Sequence, residues 1–241
     1  MSWRTLTLTG VVFLLVALIA LMPVSFVHAL AGGRLGEDAS TYGRIWDGRI
    51  YGAGAGAARF ERIDIGLRPT SVLTGRAVFD WQLADPEARG SGLAMAGISS
   101  FGVRETQFTA TLRGLGLELP GIDPAELVSF GINELTFERT GCHHADGDVR
   151  TAALVGFAAP YDVAAPLLEG PLGCNQGNLT ADLTGNSADM MLTLNLSLAP
   201  SGLWRWTAEA RLPNEGLTAV FSAAGFTQDG DVWRARGEGQ L

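Results

Sequence analysis

Apolar and polar side chains alternate along most of the chain after residue 40. In one run, Ile63, Ile65 and Leu67 alternate with Asp64 and other polar or small residues. A period of two predicts strands with one buried and one solvated face, as in an antiparallel sheet. The same alternation recurs in the runs Phe79–Leu83, Phe108–Leu112, Leu192–Leu198, Trp204–Leu212 and Leu217–Phe221.

Clusters of turn-forming residues separate these runs and predict how they connect. The clusters are Arg89–Gly92, Asp146–Asp148, Pro213–Gly216 and Gln228–Gly230. No repeat of fixed period and no polar or proline-rich linker divides the chain. We expect one meandering domain of roughly ten to fourteen strands, and a sheet of that length must curl, sandwich or close. The predicted fold class is therefore mainly β: a single, curved, mostly antiparallel sheet with one or two short helices.

Two stretches break the period of two and predict the short helices. Asp123 is a suitable N-cap, Pro124 suits the first helical position, and Glu126 follows the cap by three residues. This pattern predicts a helix over Ala125–Phe130. A second helical turn is predicted around Asp162–Leu168, where flanking prolines limit its length.

The N-terminal region is a candidate membrane segment. Leu6–Val27 carries no charge and is long enough, at about 1.5 Å per residue, to cross a hydrocarbon core of about 30 Å. Arg4 precedes it, which places the N-terminus in the cytoplasm by the positive-inside rule. Residues 1–30 are therefore either a retained transmembrane helix or a cleavable signal that ends at Val27–Ala29. Both interpretations export the β-rich domain, residues 31–241.

Composition and charge exclude several classes of function. The chain is 47% hydrophobic and 17% charged, which excludes intrinsic disorder. Its 25 acidic residues exceed its 17 basic residues, and the net charge of −8 disfavours contact with nucleic-acid phosphates. All the basic residues are arginine, so no lysine Schiff base or P-loop lysine is available.

Two cysteines agree with export. Cys142 and Cys174 are the whole cysteine content of the chain. In an oxidising compartment an even number of cysteines predicts pairing, so we expect a Cys142–Cys174 disulfide. The alternative is a pair of buried free thiols.

Catalytic, cofactor and metal sites are not predicted. The chain has only three histidines and no G-x-S-x-G motif, which leaves no Ser-His-Asp set. His143 and His144 follow Cys142, but adjacent residues on a strand point to opposite faces and rarely share one ion. The glycine-alanine tract Gly52–Ala58 lacks the strand-turn-helix context of a dinucleotide loop.

Three features occur in a recognisable order. A G-x-x-W-x-G box spans Gly43–Gly48 and includes Trp46, a second box runs from Pro69 to Gly75 and Arg76, and the two cysteines follow in the C-terminal half. In order and spacing, together with the apolar N-terminus, these features resemble the type II secretion system protein N family. The second box departs slightly from the family pattern, with Val72 where leucine is expected.

The resemblance implies a protein anchored once in the inner membrane, with its C-terminal domain in the periplasm. It implies a non-enzymatic accessory component that contacts other inner-membrane components of the type II secretion machinery. The candidate structural or docking residues are Gly43, Trp46, Gly48, Pro69 and Gly75. Trp46 between two glycines is expected to anchor a hairpin, as an ordinary core residue or as a docking residue as well.

Two alternatives remain open. The proline box also resembles that of AsmA-like envelope proteins, which carry lipid along a β-groove. An open apolar groove along the sheet would favour lipid handling, and a filled core would favour a scaffold. The second alternative is an exported enzyme or a carbohydrate-binding protein, in which Trp204 and Trp206 would stack on sugars if they were exposed.

Overall fold

A computed structural model of the chain describes residues 21–25, 39–55, 58–72, 76–97, 99–117, 122–158, 163–212, 218–223 and 225–240. Within these ranges, fourteen strands form one curved, open, antiparallel sheet, which confirms the predicted mainly β class. The strands are β1 (Ser40–Arg44), β2 (Asp47–Ala55), β3 (Ala58–Leu67), β4 (Ala77–Ala84), β5 (Ala88–Ala96), β6 (Ser100–Thr111), β7 (Leu127–Glu138), β8 (Gly141–Thr151), β9 (Leu168–Asn175), β10 (Asn178–Asn186), β11 (Met191–Leu198), β12 (Leu203–Arg211), β13 (Thr227–Asp229) and β14 (Val232–Gln240).

The strands follow one another across the sheet in chain order until the last pair. β14 pairs with β12, and the three-residue β13 lies on the outer side of β14. Short helices occur at α1 (Pro69–Val72), α2 (Ala153–Ala158) and α3 (Thr218–Ala223). The meander brings neighbouring runs of alternating residues side by side, so that their apolar positions share one face.

The predicted helix over Ala125–Phe130 is wrong. The Asp123 carboxylate accepts a hydrogen bond from the Ala125 N–H at 2.8 Å, and its carbonyl accepts one from Glu126 at 3.0 Å. The capping signal therefore makes a single turn. Leu127 then begins β7, which is paired on both sides by β6 and β8. Ladder pairing on both sides outweighs the local helix signal.

Two further predictions for the second half of the chain are wrong. Residues 163–167 form no helix and Leu168 begins β9, so the helix predicted over Asp162–Leu168 is absent from the described part of that stretch. The strand predicted at Leu217–Phe221 is instead helix α3 from Thr218 onward, and Leu217 lies outside the described residues. The Phe221 ring of α3 packs on Trp233, with 6.1 Å between centroids.

Two of the predicted turns lie inside strands. Arg89–Gly92 belongs to β5, and Asp146–Asp148 belongs to β8. Gly90 has a packing role, because a Cβ there would lie 2.9 Å from the ring of Phe108 and 3.1 Å from that of Trp81. A turn does separate β13 from β14, but it lies at Gly230 and Asp231, because Gln228 and Asp229 belong to β13. Pro213–Gly216 lies outside the described residues.

The main core lies on the apolar face of β7–β14. Its centre includes Leu183, which is 1% exposed, and Trp233, which is 6% exposed. Helices α2 and α3 contribute Ala153 and Phe221 to it. A smaller cluster of Leu83, Ala88 and Ala110 lies under the first half of the sheet.

The predicted membrane segment lies largely outside the described residues. Of residues 1–30, the structure describes only Leu21–Ser25. In the part of the chain that it describes, no helix has the length and apolar character required to cross a membrane.

Candidate docking site at the first hairpin

The G-x-x-W-x-G box forms the tight hairpin between β1 and β2. Gly43 pairs with Gly48 and Arg44 with Asp47, which leaves Ile45 and Trp46 at the turn. Gly43 has a φ of +91°, in the left-handed region, and a Cβ there would collide with the carbonyl oxygen of Asp47. The first glycine of the box is therefore required by backbone geometry.

A short segment from the end of the apolar N-terminal region pairs with this hairpin. The Ile45 N–H donates to the Met22 carbonyl at 3.0 Å, and the Val24 N–H donates to the Gly43 carbonyl at 3.1 Å. Val24 is 1% exposed. A Cβ on Gly48 would lie 2.8 Å from Val24 Cγ2, so the second glycine of the box makes room for this contact.

The end of β3 closes the other side of the turn. The Leu67 N–H donates to the Ile45 carbonyl at 2.9 Å, and a Cβ on Gly66 would lie 2.9 Å from the Trp46 carbonyl oxygen. Trp46 is half-buried. The turn is thus held between the segment at Met22–Val24 and the end of β3. Its role in docking a partner stays a prediction.

The proline box follows directly and is held to β4. Pro69 begins α1, as its fixed φ favours. The Ser71 hydroxyl donates to the Arg68 carbonyl at 2.7 Å and accepts from the Val78 N–H at 3.1 Å. Pro69 follows Leu67 by two residues, and the Leu67 N–H donates to the Ile45 carbonyl of the first box. Gly75 lies outside the described residues.

One ion pair on the polar side of this region shifts the pKa values of both of its side chains. Arg68 donates hydrogen bonds to both carboxylate oxygens of Asp80, at 2.9 and 2.7 Å. These hydrogen bonds, more than charge attraction, lower the pKa of Asp80 and raise the pKa of Arg68. Both side chains are about half exposed, so solvent limits the contribution of the pair to stability.

The predicted disulfide is present in the structure. Cys142 at the start of β8 is bonded to Cys174 near the end of β9, with 5.5 Å between Cα atoms. The ladder between these strands covers only Asp148–Thr151 with Leu168–Pro171. The disulfide therefore joins the two strands beyond the ladder, far along the chain from the hairpin boxes.

Asp85 is a buried polar residue that the sequence pattern did not single out. It is 5% exposed and lies in the turn between β4 and β5. Its carboxylate accepts from the Glu61 N–H at 2.7 Å and from the Glu87 N–H at 3.1 Å, which ties the turn to β3. The Asp-Pro-Glu sequence is a signal for such a turn, but the contact with β3 depends on the fold.

The remaining candidate residues show no assembled site. Among the described residues, no group of three or more histidine, cysteine or carboxylate side chains is placed to hold a metal ion. His143 is exposed, with its Nδ1 3.8 Å from a Glu138 carboxylate oxygen. Trp204 and Trp206 are half-buried, and their indoles lie against Gly239 and Gly237 of β14, so they pack within the sheet.

Comparison with known proteins adds the decisive observation. The family model described as type II secretion system (T2SS), protein N matches residues 39–235, which includes all strands from β1 to β13 and the start of β14. This chain belongs to the type II secretion system protein N family. Family membership makes it an accessory component of type II secretion. No curated protein and no solved structure matches the chain significantly.

The hairpin of this protein N member offers a direct test of its close packing. We expect Gly48→Ala to destabilise the protein by about 1–3 kcal/mol, because the added methyl group overpacks against Val24. Hydrogen exchange at the Val24 and Ile45 amides should accelerate at the same time. Gly97→Ala is the matched control, since its nearest contact would be 3.3 Å from a Cβ.

A double variant makes the test specific. Adding Val24→Ala to Gly48→Ala should recover part of the loss, so that the two changes are non-additive. Strictly additive effects of the two substitutions would contradict direct packing of Val24 on Gly48.

Proposed function

We propose that this chain is a non-enzymatic accessory component of the type II secretion apparatus that acts through protein–protein contacts. In the proposal, residues 1–30 anchor it in the inner membrane, residues 31–241 lie in the periplasm, and other inner-membrane secretion components are its partners. The match of the protein N family across residues 39–235 carries the proposal. The Cys142–Cys174 disulfide supports an oxidising compartment.

The pairing of Met22 and Val24 with the first hairpin supports a retained N-terminal segment. Cleavage after Ala29 would remove both residues and leave the Gly43 carbonyl and the Ile45 N–H without these partners. Because Met22 and Val24 pair with the hairpin, a retained span would end before Met22 rather than at Val27. Such a span would hold the domain at the membrane and raise the effective concentration of membrane-bound partners.

Retention is open to direct measurement. The intact mass of the protein extracted from membranes should include Ser2–Ala29. A mature form that begins at Leu30 would establish the cleaved signal instead.

The arrangement of side chains supports a role in presenting surface. The apolar positions of β7–β14 are used in the main core. On the opposite face, charged residues of neighbouring strands pair with each other, as Arg205 does with Glu238 and Arg234 with Glu209. Such cross-strand pairs suit a solvated surface and leave the backbone edges of the sheet for contacts.

One observation favours lipid handling as the second candidate function. The apolar face continues past the main core onto β4–β7, where Phe79, Val103 and Phe137 are only half-buried. Phe101, which stacks on Phe137 with 5.2 Å between centroids, is 54% exposed. In this second proposal an acyl chain lies along these residues. The second proposal predicts that Phe101→Glu reduces the amount of co-purified phospholipid. The first proposal concerns a different measurement, and predicts that the same substitution leaves secretion unchanged.

Secretion in living cells tests the proposed function. Deleting the gene should modestly lower the amount of secreted protein in the medium, and the full chain should restore it. A version with residues 31–241 behind a cleavable signal should restore it only in part, because it lacks the anchor. Unchanged secretion after deletion would overturn the proposal.

A further inference from the structure

The two edges of the sheet differ in how they are covered. At one end, β1 is partly covered by the chain itself, through the hydrogen bonds of Met22 and Val24. At the other end, β13 pairs only with Val232–Arg234 of β14. In the part of the chain that the structure describes, no strand pairs with the outer side of Ala235–Gln240. An open edge of this length is a template for another strand.

The backbone of this open edge is turned outward at alternate residues. The Thr227 hydroxyl of β13 donates to the Arg234 carbonyl at 3.3 Å, so that carbonyl points away from β12. Backbone groups alternate in direction along a strand, which places the carbonyl and N–H groups of Arg236 and Glu238 on the same outer side. These groups are positioned to form a ladder with a strand that lies beyond β14.

The two faces of the edge strand have different chemistry. On one face Gly237 and Gly239 lie under indoles from β12. A Cβ on Gly237 would be 2.8 Å from Trp206 Cε2, and one on Gly239 would be 2.6 Å from Trp204 Cε2. Because the glycines have no side chains, the two indoles extend over β14 towards the open edge. A strand added there gains apolar contact with them.

The other face carries opposite charges on either side of Gly237. Arg236 is exposed, lies across from Thr207 and forms no ion pair among the described residues. Glu238 is exposed and lies 3.3 Å from Arg205. The order Arg236, Gly237, Glu238 is self-complementary. A two-fold axis at Gly237 would place Arg236 of one copy opposite Glu238 of a second copy, and the reverse.

We propose that two copies of this chain join through β14, antiparallel to each other, with the two-fold axis at Gly237. In this register Arg236 of each copy faces Glu238 of the other, and Ala235 faces Gly239. The new ladder ends at these pairs, because β13 already occupies the outer side of Arg234, so Gln240 of each copy lies outside the ladder. Arg236 and Glu238 both direct their backbone groups outward, so they occupy the hydrogen-bonded positions of the new ladder. The interface is isologous, as expected for a two-fold dimer, and joins the two sheets into one continuous sheet.

Charge complementarity selects a second copy over the other possible occupants. Charged side chains on an edge usually discourage pairing, because most incoming strands would leave them unmatched. Here a second copy places an opposite charge across from both Arg236 and Glu238. A strand from another secretion component would need an acidic residue of its own opposite Arg236. The dimer goes beyond the proposed function, which holds for a monomer or a dimer.

Sedimentation velocity over a dilution series tests the dimer with the full chain in a mild non-ionic detergent. We expect a concentration-dependent dimer. Arg236→Glu places four acidic groups around the axis and should raise the dissociation constant by roughly tenfold or more. Arg211→Glu makes the same charge change on β12, away from the edge, and should leave the constant unchanged.

The charge swap makes the register explicit. Arg236→Glu combined with Glu238→Arg restores opposite charges across the axis and should recover much of the affinity. Recovery is partial because the new arginine lies beside Arg205. Glu238→Arg alone should weaken the dimer as Arg236→Glu does, which provides a second variant if the first folds poorly.

Three results would overturn the proposal. The first is a monomer at every concentration, including the case in which this edge captures a strand of another protein. The second is a dimer that Arg236→Glu does not weaken. The third is a double charge-swap variant whose dimer is weaker than the dimer of either single variant. This result would show that Arg236 of one copy does not face Glu238 of the other.

Discussion

Trp233→Ala is expected to lower the free energy of unfolding by about 3–5 kcal/mol. Trp233 is 6% exposed and lies in β14, within the cluster that covers the apolar face of β7–β14. Its ring lies 6.1 Å from that of Phe221, which helix α3 contributes. Removing the indole leaves a cavity between α3 and the sheet, and rigid strands on both sides limit how far it can collapse.

Urea unfolding followed by far-ultraviolet circular dichroism measures this loss without relying on tryptophan fluorescence. Met191→Ala is the matched control, because Met191 is 47% exposed and its removal should change stability by less than about 1 kcal/mol. A Trp233 variant as stable as the control would mean that α3 does not pack on the sheet as described.

Replacing both Cys142 and Cys174 with alanine is expected to cost about 3–4 kcal/mol. The bond closes a loop with a sequence separation of 32, and in the chain-entropy model it restricts the unfolded chain. Beyond the short β8–β9 ladder it also holds the start of β8 near the turn after β9, where the Cys142 N–H donates to the Gly177 carbonyl at 2.7 Å.

Dithiothreitol provides the internal control for the disulfide. The native chain should lose a similar free energy on reduction, and the double alanine variant should be insensitive to the reductant. An equal unfolding midpoint for native, reduced and doubly substituted protein would contradict a stabilising bond.

The sequence pattern predicts the sheet well because strand alternation is a local property. In runs such as Ile63–Leu67 and Leu192–Leu198, the apolar residues lie on one face of the strand. That face is buried where the apolar residues of the neighbouring strand lie on the same side of the sheet. The pattern fails at Ala125–Phe130 and Leu217–Phe221, where local signals are short. In both, contacts with distant elements decide the outcome: ladders on both sides of β7, and the packing of Phe221 on Trp233.

Glycines mislead the sequence interpretation for a related reason. In Arg89–Gly92 they suggest a turn, yet Gly90 and Gly92 lie in a strand under tight contacts. A glycine that makes room for a neighbouring ring and one that permits a turn look alike in a sequence.

The candidate site was only partly predictable. The order of the two boxes singles out Gly43, Gly48 and Pro69. The structure pairs Gly43 with Gly48 at the first hairpin, and Pro69 begins a short helix two residues after Leu67, which donates to Ile45 in the hairpin turn. The contact between Val24 and Gly48, and the open edge at Ala235–Gln240, depend on which strands come to lie at the ends of the sheet. Edge positions follow from topology, and periodicity carries no information about them.

The proposed contact of this protein N member with other secretion components at the membrane is open to a direct test. Affinity purification of the full chain from detergent-solubilised membranes, with quantitative mass spectrometry, tests it most directly. The matched control is the version without residues 1–30, exported behind a cleavable signal. The account predicts that inner-membrane secretion components are enriched with the full chain and weakly or not at all with the control. If neither version captures any such component while both carry stoichiometric phospholipid, the scaffold account is contradicted and lipid handling is the better description.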